Sequence, residues 1–226
     1  MIKRLLVIAA LVLVPALARA ADPLPDQPRW SLEMKGGFFY PDIDNWETFY
    51  GSKRTGSFGG SLAYRIFRHF EAGLGGEYIS DRGKGFAPLH SQQAQQAGGS
   101  AVFTSTVKYE LAPVHAFLLY RGEFYENQML VPYAGGGWTQ MFYREKVENL
   151  EEVRGSTGGY HARAGFRLLL DTIDARAANS FYLDYGVQHT YLVVETQYIR
   201  AMIEDVTGAT VNLGGISYSA GFLFEF

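Results

Sequence analysis

From Trp30 to Phe226 large apolar side chains recur at every second position. Alternate residues of a strand share one face, so this period predicts strands with one apolar and one polar side. In the first segment Trp30, Leu32, Met34, Phe38 and Tyr40 oppose Ser31, Glu33 and Lys35. A second, about 57–67, sets Phe58, Leu62, Tyr64 and Ile66 against Ser57, Ser61 and Arg65, and a third, about 71–80, sets Ala72, Leu74 and Tyr78 against Glu71 and Glu77. The fourth, about 101–121, changes parity. Val107, Tyr109 and Leu111 oppose Thr106, Lys108 and Glu110, but beyond Pro113 the apolar set is Val114, Ala116, Leu118 and Tyr120, which predicts a bulge at Ala112-Pro113. The fifth, about 133–144, contains Gly135, Gly136 and Gly137, and its faces are not assigned. In the sixth Tyr160, Ala162, Ala164, Phe166, Leu168 and Leu170 oppose His161, Arg163, Gly165 and Arg167. The seventh sets Phe181, Leu183, Tyr185, Val187, Tyr191 and Val193 against Asp184, Gly186, Gln188 and Thr190, which places His189 on the apolar face. The eighth, from about Val211, ends with Tyr218, Phe222, Phe224 and Phe226 on one face and Ser219, Gly221 and Glu225 on the other.

Connections alternate in length. Those near 67–70 and 172–180 are short; those at 41–56, 81–100, 146–156 and 199–210 are long and polar, with 122–130 intermediate. An even number of strands, with short turns at one rim and long loops at the other, is the arrangement of a closed antiparallel barrel. An apolar stripe on a bare terminal strand would be a sticky sheet edge, and closure in a membrane removes it.

The N-terminus adds an export reading. Lys3 and Arg4, the apolar run from Leu5 to Leu17 and the small pair Ala18 and Ala20 form a signal peptide with an A-x-A cleavage site, residues 1–20. Residues 21–29, with Pro23, Pro25 and Pro28, are an extended leader, and 30–226 the barrel. Cleavage after Ala20 leaves 17 basic against 23 acidic side chains, a net charge of −6 that offers nothing to nucleic acid. A mean hydropathy of −0.07 suits a barrel in which only alternate residues meet lipid. With no Cys, disulfides and thiolate metal sites are excluded, and no pattern requires a cofactor.

Alternation alone leaves open which face is inside. A lipocalin-like soluble barrel would turn the apolar set inward. Trp and Tyr toward the strand ends, polar faces rich in Gly, Ser and Ala, and the apolar terminus favour the inside-out, membrane arrangement. The stripe Tyr218, Phe222, Phe224 and Phe226 resembles the C-terminal signature of bacterial outer-membrane barrels. Residues 30–226 resemble the small barrels of the OmpA-transmembrane, OmpX and OmpW type, and 131–135 (VPYAG) is locally OmpW-like. The resemblance implies the outer membrane of a Gram-negative bacterium. It also implies contact with its lipids and lipopolysaccharide, and insertion by periplasmic chaperones and the barrel assembly machinery. The oligomeric state is not readable.

The expected lumen set is Glu33, Lys35, Arg65, Glu71, Glu77, Lys108, Glu110, His161, Arg163, Arg167 and Asp184. An eight-stranded barrel is only wide enough for its own side chains, so these charges must pair. Arg65 should face Glu71 across one tight turn and Arg167 should lie diagonal to Asp184 across another. The loop residues Trp46, Phe49, Tyr50, Lys53 and Arg54 put apolar groups beside cations and are candidate contacts for lipopolysaccharide. No His is followed two positions later by Ser, as in the lipid A deacylase barrels, and no H-E-x-x-H or P-loop occurs. The expectation is a non-enzymatic barrel with a plugged, salt-bridged lumen and a structural or surface-interaction role. The alternative is a narrow channel or lateral conduit for small solutes, hydrophobic ones included.

Overall fold

The computed structural model describes residues 28–43, 46–47, 51–86, 103–125, 127–147, 153–204 and 210–226, with side chains at 84–86, 103–107, 147 and 204 left out. The expected signal peptide, most of the leader, and Phe49 and Tyr50 lie outside these residues. Strands β1 (Trp30–Pro41), β2 (Thr55–Phe67), β3 (Phe70–Phe86), β4 (Phe103–Arg121), β5 (Leu130–Val147), β6 (Val153–Leu169), β7 (His189–Glu204), β8 (Thr210–Asn212) and β9 (Gly215–Glu225) pair in sequence, all antiparallel. The order β6-β5-β4-β3-β2-β1-β9-β7, with β6 also paired to β7, closes the ring. β8 and β9 are one stave interrupted at Leu213-Gly214, where the Asn212 side chain accepts N–H bonds from Ala201 and Gly214, each 3.0 Å long. The barrel therefore has eight staves. The chain ends are stitched together: Phe226 N–H donates to Trp30 O, and Arg29 N–H to Phe226 O, both at 2.9 Å.

The polarity is inside-out. Leu32, Phe58, Leu62, Leu74, Leu118, Phe166, Tyr218 and Phe222 are exposed, with Phe58 and Leu74 above 60%, while Glu33, Glu71, Arg121 and Arg167 are at 0–1%. Such a belt can be stable only in an apolar solvent. The β2–β3 connection is the two-residue turn Arg68-His69. The β4–β5 turn is built on Gln128, whose amide donates to Gly122 O at 2.8 Å and Leu130 O at 2.7 Å and accepts from Phe124 N. In β5 the glycines have a steric cause. A Cβ on Gly135 or Gly137 would sit 1.9–2.1 Å from the backbone oxygen of Leu118 or Ala116.

Two sequence expectations are corrected. First, β4 does not bulge at Ala112-Pro113: its register with β5 runs unbroken from Val107↔Val147 to Arg121↔Tyr133. Pro113, lacking an N–H, instead opens the ladder to β3 between the pairs Gly76↔Val114 and Ile79↔Leu111 without a slip. Parity is thus constant along β4. Tyr109 and Leu111 point inward, and Lys108 and Glu110 point outward.

Second, the expected seventh strand is a helix followed by a strand. Helix α1 (Ala175–Tyr185) starts at Asp174, whose carboxylate accepts the N–H groups of Arg176 and Ala177, and stops at Gly186 with φ 72°. Capping and the Ala-rich first turns override the short alternation at Phe181, Leu183 and Tyr185. β7 then continues through 199–204, expected to be loop. Tyr191, Val193, Glu195 and Gln197 face inward, and His189, half-buried, bonds Asp171 at 2.8 Å rather than facing lipid.

Candidate functional site

The lumen is filled in layers. At the rim of the short turns, Glu71 accepts a bidentate pair from Arg167 (2.9 and 2.8 Å) and a further bond from Arg121. Arg121 also reaches Glu225 at 2.6 Å and Glu123 at 2.9 Å, and Arg65 contacts Glu225 at 3.2 Å and Glu123 at 3.6 Å. Three arginines thus meet three carboxylates in this layer, and each of these side chains is 13% exposed or less. Ala63, Phe117, Leu119, Val131, Leu169, Tyr191, Val193 and Leu223 pack around and above them.

In the middle, Lys35 Nζ lies 2.5 Å from Glu195, 3.1 Å from Glu77 and 3.9 Å from Glu33. Tyr133 donates to Glu195 at 2.8 Å, and Arg163 approaches it at 3.5 Å while its guanidinium lies 3.9 Å over the Phe117 ring. His115 and His161 each bond the Thr139 hydroxyl at 2.9 Å, and Gln197 reaches His115 at 3.2 Å. Toward the long loops the lumen becomes apolar: Phe39, Ile79, Tyr109, Leu111, Met141, Ile199, Ala201 and Leu213, roofed by Trp46. The Trp46 ring meets Tyr109 edge-on at 5.3 Å.

Glu33, Lys35, Arg65, Glu71, Glu77, His161, Arg163 and Arg167 are in the lumen, as expected. Arg65 stands opposite Glu71 in register and forms ion pairs with Glu123 and Glu225. Arg167 pairs with Glu71 across the lumen; Asp184 is exposed on α1 and plays no part there. Lys108 and Glu110 are not lumen residues. They pair with each other at 2.6 Å on the outer face, where Tyr78 also donates to Glu110 and Arg144 lies 3.6 Å from it. Trp46 is no lipid contact, since it is buried in the barrel mouth. Lys53 is exposed beside Glu47 at 3.6 Å, and Arg54 lies 4.4 Å over the outward ring of Phe38. Tyr218, Phe222 and Phe226 are outward and exposed; Phe224, also outward, is half-covered.

Arg121, Glu123, Glu195, Gln197, Thr139 and Glu225 belong to the lumen but were absent from the expected set. Glu225 was legible, because it alternates with Phe224 and Phe226. Arg121 was legible in the same way, because it alternates with Leu118 and Tyr120, whereas Glu195 was hidden because it shares the parity of Tyr191 and Val193, apolar residues that alternation assigned to the lipid face although they point inward.

The outer face above the apolar belt carries a second pattern. Ser80↔Glu110↔Arg144↔Arg154 form one cross-strand row over β3–β6, and Arg82↔Lys108↔Lys146 the next. Five cations with one carboxylate therefore occupy adjacent outward positions in these two rows. A groove of about 440 Å³ lies between Arg144 and Arg154, bordered by Phe142 and Tyr143.

No family model matches the chain, and no curated protein matches it. Solved structures do. The outer membrane protein OprG from Pseudomonas aeruginosa aligns over 88% of this chain and 97% of its own, with a TM-score of 0.56 at 14% identity. Neisserial surface protein A aligns over 87% and 97%, with a TM-score of 0.51 at 14% identity. Closure into eight staves, inside-out polarity and this likeness agree: the fold is that of the small outer-membrane β-barrels.

Proposed function

We propose that this is a non-enzymatic outer-membrane barrel that closes its own lumen and acts as a structural or surface-interaction protein. The filled lumen carries this reading. An ion cluster, a mixed polar layer and an apolar layer roofed by Trp46 succeed one another along the barrel axis. Residues 1–20 direct export and are removed by cleavage after Ala20, and chaperones and the assembly machinery read the stripe Tyr218, Phe222, Phe224 and Phe226. Deleting Phe226 slows insertion and leaves protease-sensitive precursor, whereas a change at Ser219, on the inward face, is mild.

The two cationic rows fit the phosphates of lipopolysaccharide, with Arg54 as an outlying contact. Like charges directly opposite in a ladder repel, as at Arg144↔Arg154 and Lys108↔Lys146, and a bound anion removes that cost. The test of the closed lumen is conductance. The refolded protein in planar bilayers passes no steady current; a stable unitary conductance overturns this reading.

One observation favours a lateral conduit instead. A groove of about 500 Å³ on the lipid face is bordered by Leu32, Met34, Phe58, Leu62 and Leu74, with Gly60 and Gly76 as floor and Glu33 and Glu77 behind it. A Cβ on Gly76 meets only Pro113 O, at 3.5 Å, so Gly76→Leu fills the groove while the barrel still folds. Uptake of a hydrophobic dye into proteoliposomes that Gly76→Leu abolishes would establish the conduit; no uptake in either form keeps the closed barrel.

A further inference from the structure

Helix α1 is hard to explain by the protein's own contacts. It has 11 residues, none of them buried, and isolated helices shorter than about 12–15 residues are marginal in water. Its aromatic residues are nonetheless ordered, although Leu183, 71% exposed, sits on the opposite side with Arg176 and Ser180. Ala178, Phe181, Tyr182 and Tyr185 fall at i, i+3, i+4 and i+7, one face of a helix, and Arg176, Ser180 and Asp184 lie on the other. Tyr182 is 56% exposed and Tyr185 71%.

The helix is also fixed in place. Phe181 packs on Phe224 with ring centroids 6.4 Å apart, and Phe224 belongs to the outward face of β9. Helix α1 therefore lies against the outside of the barrel wall rather than beneath the lumen. Both flanks are tied. Asp171 accepts the Thr190 N–H at 3.0 Å and bonds His189 at 2.8 Å; beyond the helix Val187 is buried and Gln188 N–H donates to Glu225 O at 2.7 Å. The aromatic face of α1 thus continues the lipid-facing belt at the rim of the short turns, level with Trp30 and Phe226.

We infer that α1 is an interfacial helix, with Ala178, Phe181, Tyr182 and Tyr185 seated in the headgroup–acyl boundary of the periplasmic leaflet. The inference rests on the outer-membrane reading above. Its occupant follows from continuity: the surface that α1 extends is the belt that lipid covers, and tyrosine is a side chain that membrane interfaces favour, with an apolar ring and a polar tip. Lipid covering this face supplies the burial that the helix lacks within the protein. An apolar face held at a fixed height against the wall also sets how deep the barrel sits.

The chain has no Cys, so single nitroxide labels can be placed without background substitutions. Tyr185→Cys, Ser180→Cys and Leu74→Cys proteins are refolded into phospholipid vesicles, and folding is checked by heat-modifiable gel mobility. Collision of each label with oxygen, which concentrates in lipid, is compared with collision with a water-soluble nickel chelate. The expected result is lipid-like accessibility at 185 and at the mid-belt control 74, and water-like accessibility at 180. Water-like accessibility at 185 with a lipid-like 74 overturns the interfacial helix and leaves the barrel in its membrane. Water-like accessibility at 74 refutes the membrane reading itself. A label at 185 shielded from both reagents shows that protein covers this face, in a second copy for example, and overturns lipid as the occupant.

Discussion

The two ends of the lumen solve the same filling problem with opposite chemistry. Near the short turns the barrel is packed with Arg65, Arg121 and Arg167 against Glu71, Glu123 and Glu225; near the long loops it is packed with Phe39, Ile79, Leu111, Met141 and Trp46. The charged end works only as a set. Buried charges lose their hydration, and their mutual attraction offsets that loss only when each has its partner. The apolar end is made of separate contributions, since each side chain adds its own area and contacts. One end is therefore brittle and selective, the other graded.

That contrast has consequences that can be measured. The largest effect is expected at Glu71, which holds Arg167 and Arg121 together. Glu71→Ala leaves two buried guanidinium groups short of a carboxylate and lowers stability by about 3–5 kcal/mol, read as the urea unfolding midpoint in lipid vesicles. Adding Arg167→Ala restores part of it, because the two arginines that stay then face two carboxylates, Glu123 and Glu225. A double mutant as weak as the sum of its parts would show that Arg167 and Glu71 do not act as a pair.

A smaller loss is expected at the apolar end. Leu111→Ala opens a cavity and costs about 2–5 kcal/mol, toward the lower figure because the flexible Met141 beside it can shift into the space. No second substitution should rescue it in the way Arg167→Ala rescues Glu71→Ala. The two ends should also be independent. Glu71 and Ile79, Leu111's cross-strand neighbour, are eight residues apart on β3, about 26 Å at the usual strand rise. Combining Glu71→Ala with Leu111→Ala should therefore be additive within about 0.5 kcal/mol. A larger departure would mean that the lumen packs as one unit and that its layers are not separable.

The smallest expected effect is at Asp184. It is exposed on α1, so Asp184→Ala should leave the midpoint where it was. A loss comparable to that at Arg167 would restore the diagonal pair once expected between them and contradict the helix.

Sequence reading succeeded where the chain crosses the apolar slab. There lipid rewards apolar side chains on one face and excludes charge from it, so Leu32 against Glu33, Leu62 against Ser61 and Phe166 against Arg167 declare their sides. It failed where strands leave the slab. Above it the outer face meets headgroups and water, and the inner face is the apolar plug. Tyr109 and Leu111 then turn inward and Lys108 and Glu110 outward without any change in parity. Taking every apolar residue as lipid-facing forced a bulge onto Pro113 that the register does not contain. Trp46 was misread for the same reason, as a surface aromatic when it caps the lumen. At α1 a brief alternation at Phe181, Leu183 and Tyr185 imitates a strand, whereas the caps Asp174 and Gly186 on either side of it favour the helix.

Local pattern alone determined that the chain forms an eight-stave, inside-out barrel, and placed Glu33, Lys35, Arg65, Glu71, Glu77, Arg163 and Arg167 inside it. Alternation and loop length are properties of neighbours along the chain, and the solvent on each face acts residue by residue. Only the closed structure decided who pairs with whom. Glu71 meets Arg167 and Arg121, and Glu195 meets Lys35 and Tyr133, from strands far apart in sequence. Those partners are selected by curvature, stagger and the width of the lumen, which exist only once the ring is closed.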